Sequence, residues 1–473
     1  MKNATPRKSG RNLKMDKNKR IITVLIVISA MFLALLTFLL YFNMFEAQKV
    51  AGNPYNRRQW DDERYVTRGK IYDKSGLVLA ESVEGSEGKT QRVYSQGKLY
   101  SHVIGYCSQL YGKSLLEQKY DSELLGKGDM SIFAGDKKKG FDLNLTIDNS
   151  IQKYAYAQMR SRRGALVAMN PKTGAIIAMV SLPDFDPSAE ALEKEWGNIV
   201  ENENSPLLAR ATGGLYPPGS TFKTVTAAGA YENGMAGRTF NDVGKFTAGS
   251  VTVDNYGKKA YGNITLERGF ELSSNQVFCT VGYELGAENM LNLAERFGIN
   301  SETEFDTPVS KSRIEYKKMT NTDGALVAIG QGQLLTTPLQ MAVITSAIAN
   351  GGEILRPFVV ESITKNSANI KTAQKKVVRR ATSTACADYI TELMVNTVKK
   401  GTGTRAAISG ITVAGKTGTA ENETKKDHSW FVGFAPAEDP EIAVAVILEY
   451  DGSSGGQAAA PIAGSVIRKY LGK

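Results

Sequence analysis

Between Ile21 and Phe42 the chain carries no charged residue, and that run limits the fold more than any other stretch. An uncharged apolar segment of this length is long enough to cross a bilayer, and in lipid a helix satisfies all of its backbone polar groups within one segment. Eight basic residues, Lys2, Arg7, Lys8, Arg11, Lys14, Lys17, Lys19 and Arg20, precede it against one acid, Asp16. The positive-inside rule then makes residues 1–20 a basic cytoplasmic tail, 21–42 a single-pass transmembrane anchor, and the rest extracytoplasmic. A cleaved signal peptide is the rival, but the apolar run exceeds an h-region and no Ala-x-Ala follows it. Most of the formal net charge of +10 sits in this tail, so the basicity is a topology signal and a nucleic-acid partner is not expected.

The 473 residues leave room for more than one domain, and 42% hydrophobic with 22% charged residues is a globular composition. Cys107, Cys279 and Cys386 are odd in number and scattered, so they read as small buried hydrophobes and not as a disulfide framework. His102 and His428 have no Cys or His partner at ligand spacing, so neither a metal nor a cofactor is expected. Residues 43–142 carry short strand patterns at Lys70–Tyr72 and Leu77–Ala80 and read as a small pedestal or docking domain. From Leu143 a helix-like run continues through Tyr154. A hairpin pattern, Ala165–Met169 and Ala175–Val180, then turns at Asn170–Gly174. Three more strand patterns, Ile411–Ala420, Ser429–Phe434 and Ile442–Tyr450, precede a final helix over Pro461–Leu471. Two strands early, three late and helices between predict an α+β domain over 143–473 whose sheet is closed by both ends of the chain.

Three short words in order carry the chemistry: Ser220-Thr221-Phe222-Lys223, Ser273-Ser274-Asn275 and Lys416-Thr417-Gly418-Thr419. They supply a nucleophilic hydroxyl, candidate proton carriers, an amide and a cationic strand, the parts of a serine acyl-transfer site. Each word alone is weak. Ser-x-x-Lys recurs at Ser86/Lys89, Ser95/Lys98, Ser150/Lys153 and Ser362/Lys365, Ser-x-Asn at Ser367/Asn369, and Lys-Thr-Gly at Lys172–Gly174, where turn chemistry explains it. Ser220 differs by its setting. Pro217, Pro218 and Gly219 open a helix there, so the hydroxyl lies in the first turn with Lys223 one turn along the same face. Lys223 can act as base only when neutral, and burial with a second cation nearby, Lys416, lowers its pKa in that direction. Ser273 is a candidate proton relay, and Asn275 a donor to substrate backbone and a holder of Lys223. Without their companions the two would read as a helix cap. Gly415 and Gly418 would let a ligand backbone approach the strand closely. His428 and Trp430 follow the same turn and read as structural.

These words, with Gly164–Pro187, Gly330-Gln331-Gly332 and Thr336–Ala342, resemble the transpeptidase domain of class B, monofunctional penicillin-binding proteins. Arg68–Asp73 with Gly76, and Leu116-Glu117 with Tyr120 and Gly126, resemble that class's N-terminal domain. The resemblance implies a five-stranded, largely antiparallel sheet between helix clusters and a peptidoglycan D,D-transpeptidase. Ser220 would be acylated by stem peptides and by β-lactams, and Lys416, Thr417 and Thr419 would hold the substrate carboxylate. The backbone N–H groups of Ser220 and Thr419 would form an oxyanion hole. The length before Ser220 leaves no room for the glycosyltransferase domain of class A relatives, so a SEDS-type glycosyltransferase is the implied partner.

The alternatives are a D,D-carboxypeptidase or β-lactamase-like hydrolase, or a non-catalytic scaffold for a glycosyltransferase. A β-lactam sensor would need an intracellular signalling region, for which twenty basic residues are too few. Glu288-x-x-Leu291-Asn292 spells the segment that carries the deacylating glutamate of class A β-lactamases. It starts close behind Asn275, however, and continues as an amphipathic helix to Gly298, which predicts a surface residue and favours transfer over hydrolysis.

Overall fold

The computed structural model describes residues 11–46, 63, 65–85, 88–127, 139–159, 161–422 and 426–473. Residues 1–10 of the expected tail and 47–62 of the expected 43–142 domain lie outside them, as does Ser86 of one Ser-x-x-Lys word. The chain divides into two units, Met1–Asp62 and Glu63–Lys473.

In the first unit a single helix, α1, runs over Arg11–Tyr41, starting within the basic stretch and passing through the apolar run. The side chains from Ile21 to Tyr41 are exposed. The hydroxyls of Thr23 and Thr37 donate back to the carbonyls of Lys19 (2.9 Å) and Leu33 (2.7 Å), so neither stays unpaired on an apolar surface. Lys19–Glu46 is long and apolar enough to cross a membrane.

The second unit opens with β1 (Ile71–Tyr72), β2 (Val78–Glu84), β3 (Thr90–Tyr94) and β4 (Asp142–Leu145). Two strands from far along the chain, Val360–Lys365 and Ala368–Thr372, complete this six-stranded sheet. Leu143, expected to begin a helical run, is therefore in a strand. Leu143 and Leu145 are fully buried while Asp142 and Asn144 are not, a period of two, and Leu143 pairs with both Ile71 and Ile363. The expected division between 142 and 143 falls inside this strand. Beside the sheet, Glu117 is fully buried and accepts from Arg68 Nε (2.6 Å) and Arg92 Nε (2.7 Å), while Arg68 Nη1 also donates to Asp121 (2.5 Å). Burial alone would raise the Glu117 carboxyl, but Arg92 and Arg68 hold it below its usual range.

Next come α2 (Asn149–Met159), β5 (Gly164–Met169) and β6 (Ile176–Leu182), then α3 (Lys223–Glu232), α4 (Leu266–Glu271), α5 (Asn275–Leu285), α6 (Ala287–Arg296) and α7 (Pro338–Ala349). The chain ends with α8 (Thr384–Lys400), β7 (Ala414–Ala420), β8 (His428–Ala435), β9 (Ile442–Leu448) and α9 (Ala459–Tyr470). The second sheet has the order β7-β8-β9-β5-β6 with every pairing antiparallel, so both ends of the domain close it as expected. Both of its faces are covered. Ala165, Val167, Met169, Trp430, Val432 and Ala445 join the core that contains α7, while Leu166, Ala168, Phe431, Val444 and Val446 join the core that contains α9. β7 forms the sheet edge, which leaves one rail of its backbone without a neighbouring strand.

Candidate active site

Ser220 lies in a tight 3₁₀ turn, Gly219–Phe222, that leads directly into α3, whose first residue is Lys223. Several ties fix the approach to this turn. Tyr216 exchanges two backbone hydrogen bonds with Thr336 (2.9 and 2.8 Å), and Gly219 N donates to Gly330 O (2.9 Å). Trp430 Nε1 donates to Pro217 O (3.0 Å). Thr336 is itself fixed because Thr337 caps α7, accepting from Gln340 N at 3.0 Å.

Lys223 and Lys416 are both fully buried and converge on Ser273. Lys223 Nζ donates to Ser273 O (2.8 Å) and Asn275 Oδ1 (2.8 Å) and lies 3.4 Å from Ser273 Oγ. From the other side, Lys416 Nζ reaches Ser273 Oγ (2.9 Å) and Thr417 O (3.0 Å). A neutral amine has two N–H groups and one lone pair. The two oxygens nearest Lys223 are acceptors, and satisfying both consumes its two hydrogens and leaves the lone pair free. Burial lowers the Lys223 pKa to about 7. Lys416 is lowered as well, first by burial and then by the charge of Lys223. Burial acts on both lysines, and because repulsion between two ammonium groups is mutual, the pair disfavours carrying both charges at once.

Ser273 has φ 58°, a left-handed conformation rare for a residue with a side chain. It sits just past the end of α4, where Ser273 N donates to Phe270 O (3.1 Å) and Ser274 N to Gly269 O (2.8 Å). This is the Schellman arrangement, in which glycine is the usual occupant. A serine here accepts a strain of about 1 kcal/mol and in exchange carries a hydroxyl between the two lysines. Asn275 Nδ2 donates to Asp254 O (2.9 Å), and Thr417 Oγ1 pairs with Thr402 Oγ1 (2.6 Å). Thr419 is half-buried on the edge strand, and the Gly219 backbone passes close by: a Cβ on Gly219 would lie 2.9 Å from Thr419 O.

A family model described as the penicillin binding protein transpeptidase domain matches residues 164–468, and one described as the penicillin binding protein A dimerisation domain matches residues 68–140. The chain belongs to the penicillin-binding proteins. It is 34% identical to the peptidoglycan D,D-transpeptidase PbpA of Mycolicibacterium smegmatis, over 90% of this chain and 94% of that one. Penicillin-binding protein A from M. tuberculosis, solved as a ceftriaxone acyl-enzyme, superposes with a TM-score of 0.82 at 33% identity, covering 87% of this chain and 99% of that one. A D,D-transpeptidase domain from Eggerthella lenta superposes with a TM-score of 0.79 at 38% identity, covering 86% and 99%.

Within this penicillin-binding protein the repeated words separate by environment. Lys172 pairs with Asp439 on a turn that Gly174 closes at φ 87°. Ser95 Oγ is spent on Val78 O (2.5 Å), Ser362 accepts from Asn144, and Ser367 lies in a hairpin turn at φ 68°. Glu288 is exposed on the first turn of α6. His428 and Trp430 are buried, and His428 Nδ1 accepts from Tyr450 N (3.1 Å).

The glycines of β7 serve the penicillin-binding fold differently from expectation. A Cβ at Gly415 would lie 2.3 Å from Phe431 Cζ, and one at Gly418 would lie 3.0 Å from Thr221 Cγ2 and from Trp430 Cβ. Protein groups, not a ligand backbone, occupy the space left by the missing side chains. Gly418 lets the Ser220 turn sit against the strand. Asp242 and Asn255, both nearly inaccessible, bond to Ser274 and Asn275 and went unread in the sequence, because neither lies in a recognisable word.

Proposed function

We propose that this chain is a peptidoglycan D,D-transpeptidase, and the observation that carries the reading is the placement of Ser273 Oγ between two buried lysines beside the Ser220 turn. Lys223, neutral, takes the Ser220 proton as the hydroxyl attacks the penultimate D-Ala carbonyl of a stem peptide. Backbone N–H groups of Ser220 and Thr419 stabilise the oxyanion. Ser273 passes the proton to the leaving amine, and terminal D-Ala departs. The amine of a second stem then attacks the acyl-enzyme and restores Ser220. Asn275 keeps Lys223 oriented. Lys416 with Thr417, Gly418 and Thr419 receives the substrate carboxylate, and that anion returns Lys416 to its charged form. β-Lactams acylate the same serine.

Residues 1–20 form the cytoplasmic tail, 21–42 the membrane anchor, and the remainder the extracytoplasmic pedestal and catalytic domain, whose division lies beyond β4 and not at 142/143, since β4 and Val360–Lys365 share the pedestal's sheet. A SEDS-type glycosyltransferase supplies the glycan strands. The basic residues ahead of an exposed apolar helix support this topology. The reading is tested with uncross-linked glycan bearing pentapeptide stems and a labelled amine acceptor. D-Ala release coupled to label incorporation is expected. D-Ala release that ignores the acceptor would make the enzyme a carboxypeptidase.

A further inference from the structure

We propose that Asp242 and Asn255 are positioning residues for the reaction, a buried pair that holds the Ser273–Asn275 loop in its strained shape against Lys223. The proposal rests on the transpeptidase reading above. Asp242 ends the strand Thr239–Asp242 and is 1% exposed; Asn255 follows the strand Val251–Asp254 and is 3% exposed. Asp242 Oδ2 accepts from Ser274 Oγ (2.6 Å), and its two oxygens share Asn255 Nδ2 (2.9 and 3.0 Å), with Gly244 N on Oδ1 (2.8 Å). Asn255 Oδ1 accepts from Asn275 N (2.8 Å) and Gln276 N (3.0 Å), two backbone donors at the start of α5. Ser274 Oγ meanwhile caps that helix, accepting from Val277 N at 3.1 Å.

Both residues following Ser273 are thus tied to the pair. Ser273 occupies a left-handed conformation that its own side chain disfavours, so the turn persists only if its flanks are held. On one flank are the backbone bonds from α4. On the other are the Asp242 and Asn255 bonds, which also set where Asn275 presents Oδ1 to Lys223.

The pair carries a charge as well as a shape. Around Lys223 stand Lys416 from β7, Asn275, Phe278 and Cys279 from α5, and Asp242. Cys279 is pushed up to about 12 by burial and is uncharged at neutral pH. Asp242 is therefore the anion that opposes the lowering of Lys223 by burial, and removing it moves Lys223 further down.

The test measures acylation of the full-length chain by a fluorescent penicillin over about pH 5 to 10, with thermal melts on each protein. Wild-type acylation in the same assay tests the acyl-enzyme step separately from the variants, and acceptor-dependent D-Ala release by the wild type tests the transpeptidase reading by itself. Asp242→Asn keeps the size but removes the charge, and folded Asp242→Asn should acylate about tenfold or more slowly at its plateau, with the acidic limb displaced to lower pH. A role in stability alone would lower the melting temperature and leave the limb in place, which overturns the proposal. Ser274→Ala, which removes the hydroxyl that Asp242 holds and that caps α5, covers the case in which Asp242→Asn does not fold, with Ser274→Gly as the control that loses the same cap at little cost to the helix. It should also slow the plateau about tenfold, and an unchanged plateau overturns the proposal.

Discussion

A serine at φ 58° is a choice between stability and chemistry, and Ser273 makes that choice testable. Ser273→Gly removes both hydroxyl and strain, whereas Ser273→Ala removes the hydroxyl and keeps the strain. The glycine variant should be more stable than the alanine variant by about 1 kcal/mol in denaturant melts, and both should acylate about a hundredfold more slowly than wild type. Lys223, the proposed base, sets the expected pH dependence. Its pKa is lowered to about 7, so the neutral base accumulates as pH climbs through that value, and acylation should rise there to a plateau. Lys223→Arg should nearly abolish acylation at every pH, since a guanidinium does not deprotonate in a protein, while Lys416→Arg should keep a measurable rate. That Lys223, Ser273, Asn275 and Lys416 would come together was legible in the sequence because three words occur in order. The left-handed turn was not, because nothing in Ser-Ser-Asn announces a position where glycine would be cheaper.

Among elements, the segment Gly330–Pro338 acts as a clamp on the Ser220 turn through Gly219 and Tyr216. A Cβ at Gly330 would lie 2.0 Å from Gly219 O, which is backbone and cannot step aside, and Gly330 has φ 75°. Gly330→Ala should therefore slow penicillin acylation by at least about tenfold. Gly234 has a similar φ of 71° with nothing within 4 Å of its Cβ position. Gly234→Ala should cost about 1 kcal/mol in a thermal melt and leave acylation intact. The hairpin of β5 and β6 and the three closing strands were readable from apolar patterns bounded by turn residues. Strand β4 was not, since four alternating residues joined to a helix read as its first turn until β1 and Val360–Lys365 are there to pair with it. Partners so distant in sequence leave no local signal.

For the molecule as a whole, the buried pair of arginines on Glu117 ties the segments at Arg68, Arg92 and Glu117 together. Glu117→Gln leaves two buried guanidinium groups undercompensated and should destabilise the chain by about 3–5 kcal/mol, measured by denaturant unfolding. Because the Glu117 and Asp121 carboxyls are held low in the folded state, their contribution is present above the usual carboxylate pKa and is lost as pH falls through the lowered values. Charges in sequence announce no such pairing, whereas the N-terminal apolar helix did announce itself, since an uncharged run of that length needs no tertiary context. Five serines head a Ser-x-x-Lys word, and Ser220 is the one expected to react. The direct measurement is peptide mass mapping of the full chain after treatment with penicillin. The adduct should lie on the peptide containing Ser220 and disappear in Ser220→Ala; an adduct on Ser95 or Ser362 instead, or one that persists in Ser220→Ala, would contradict it.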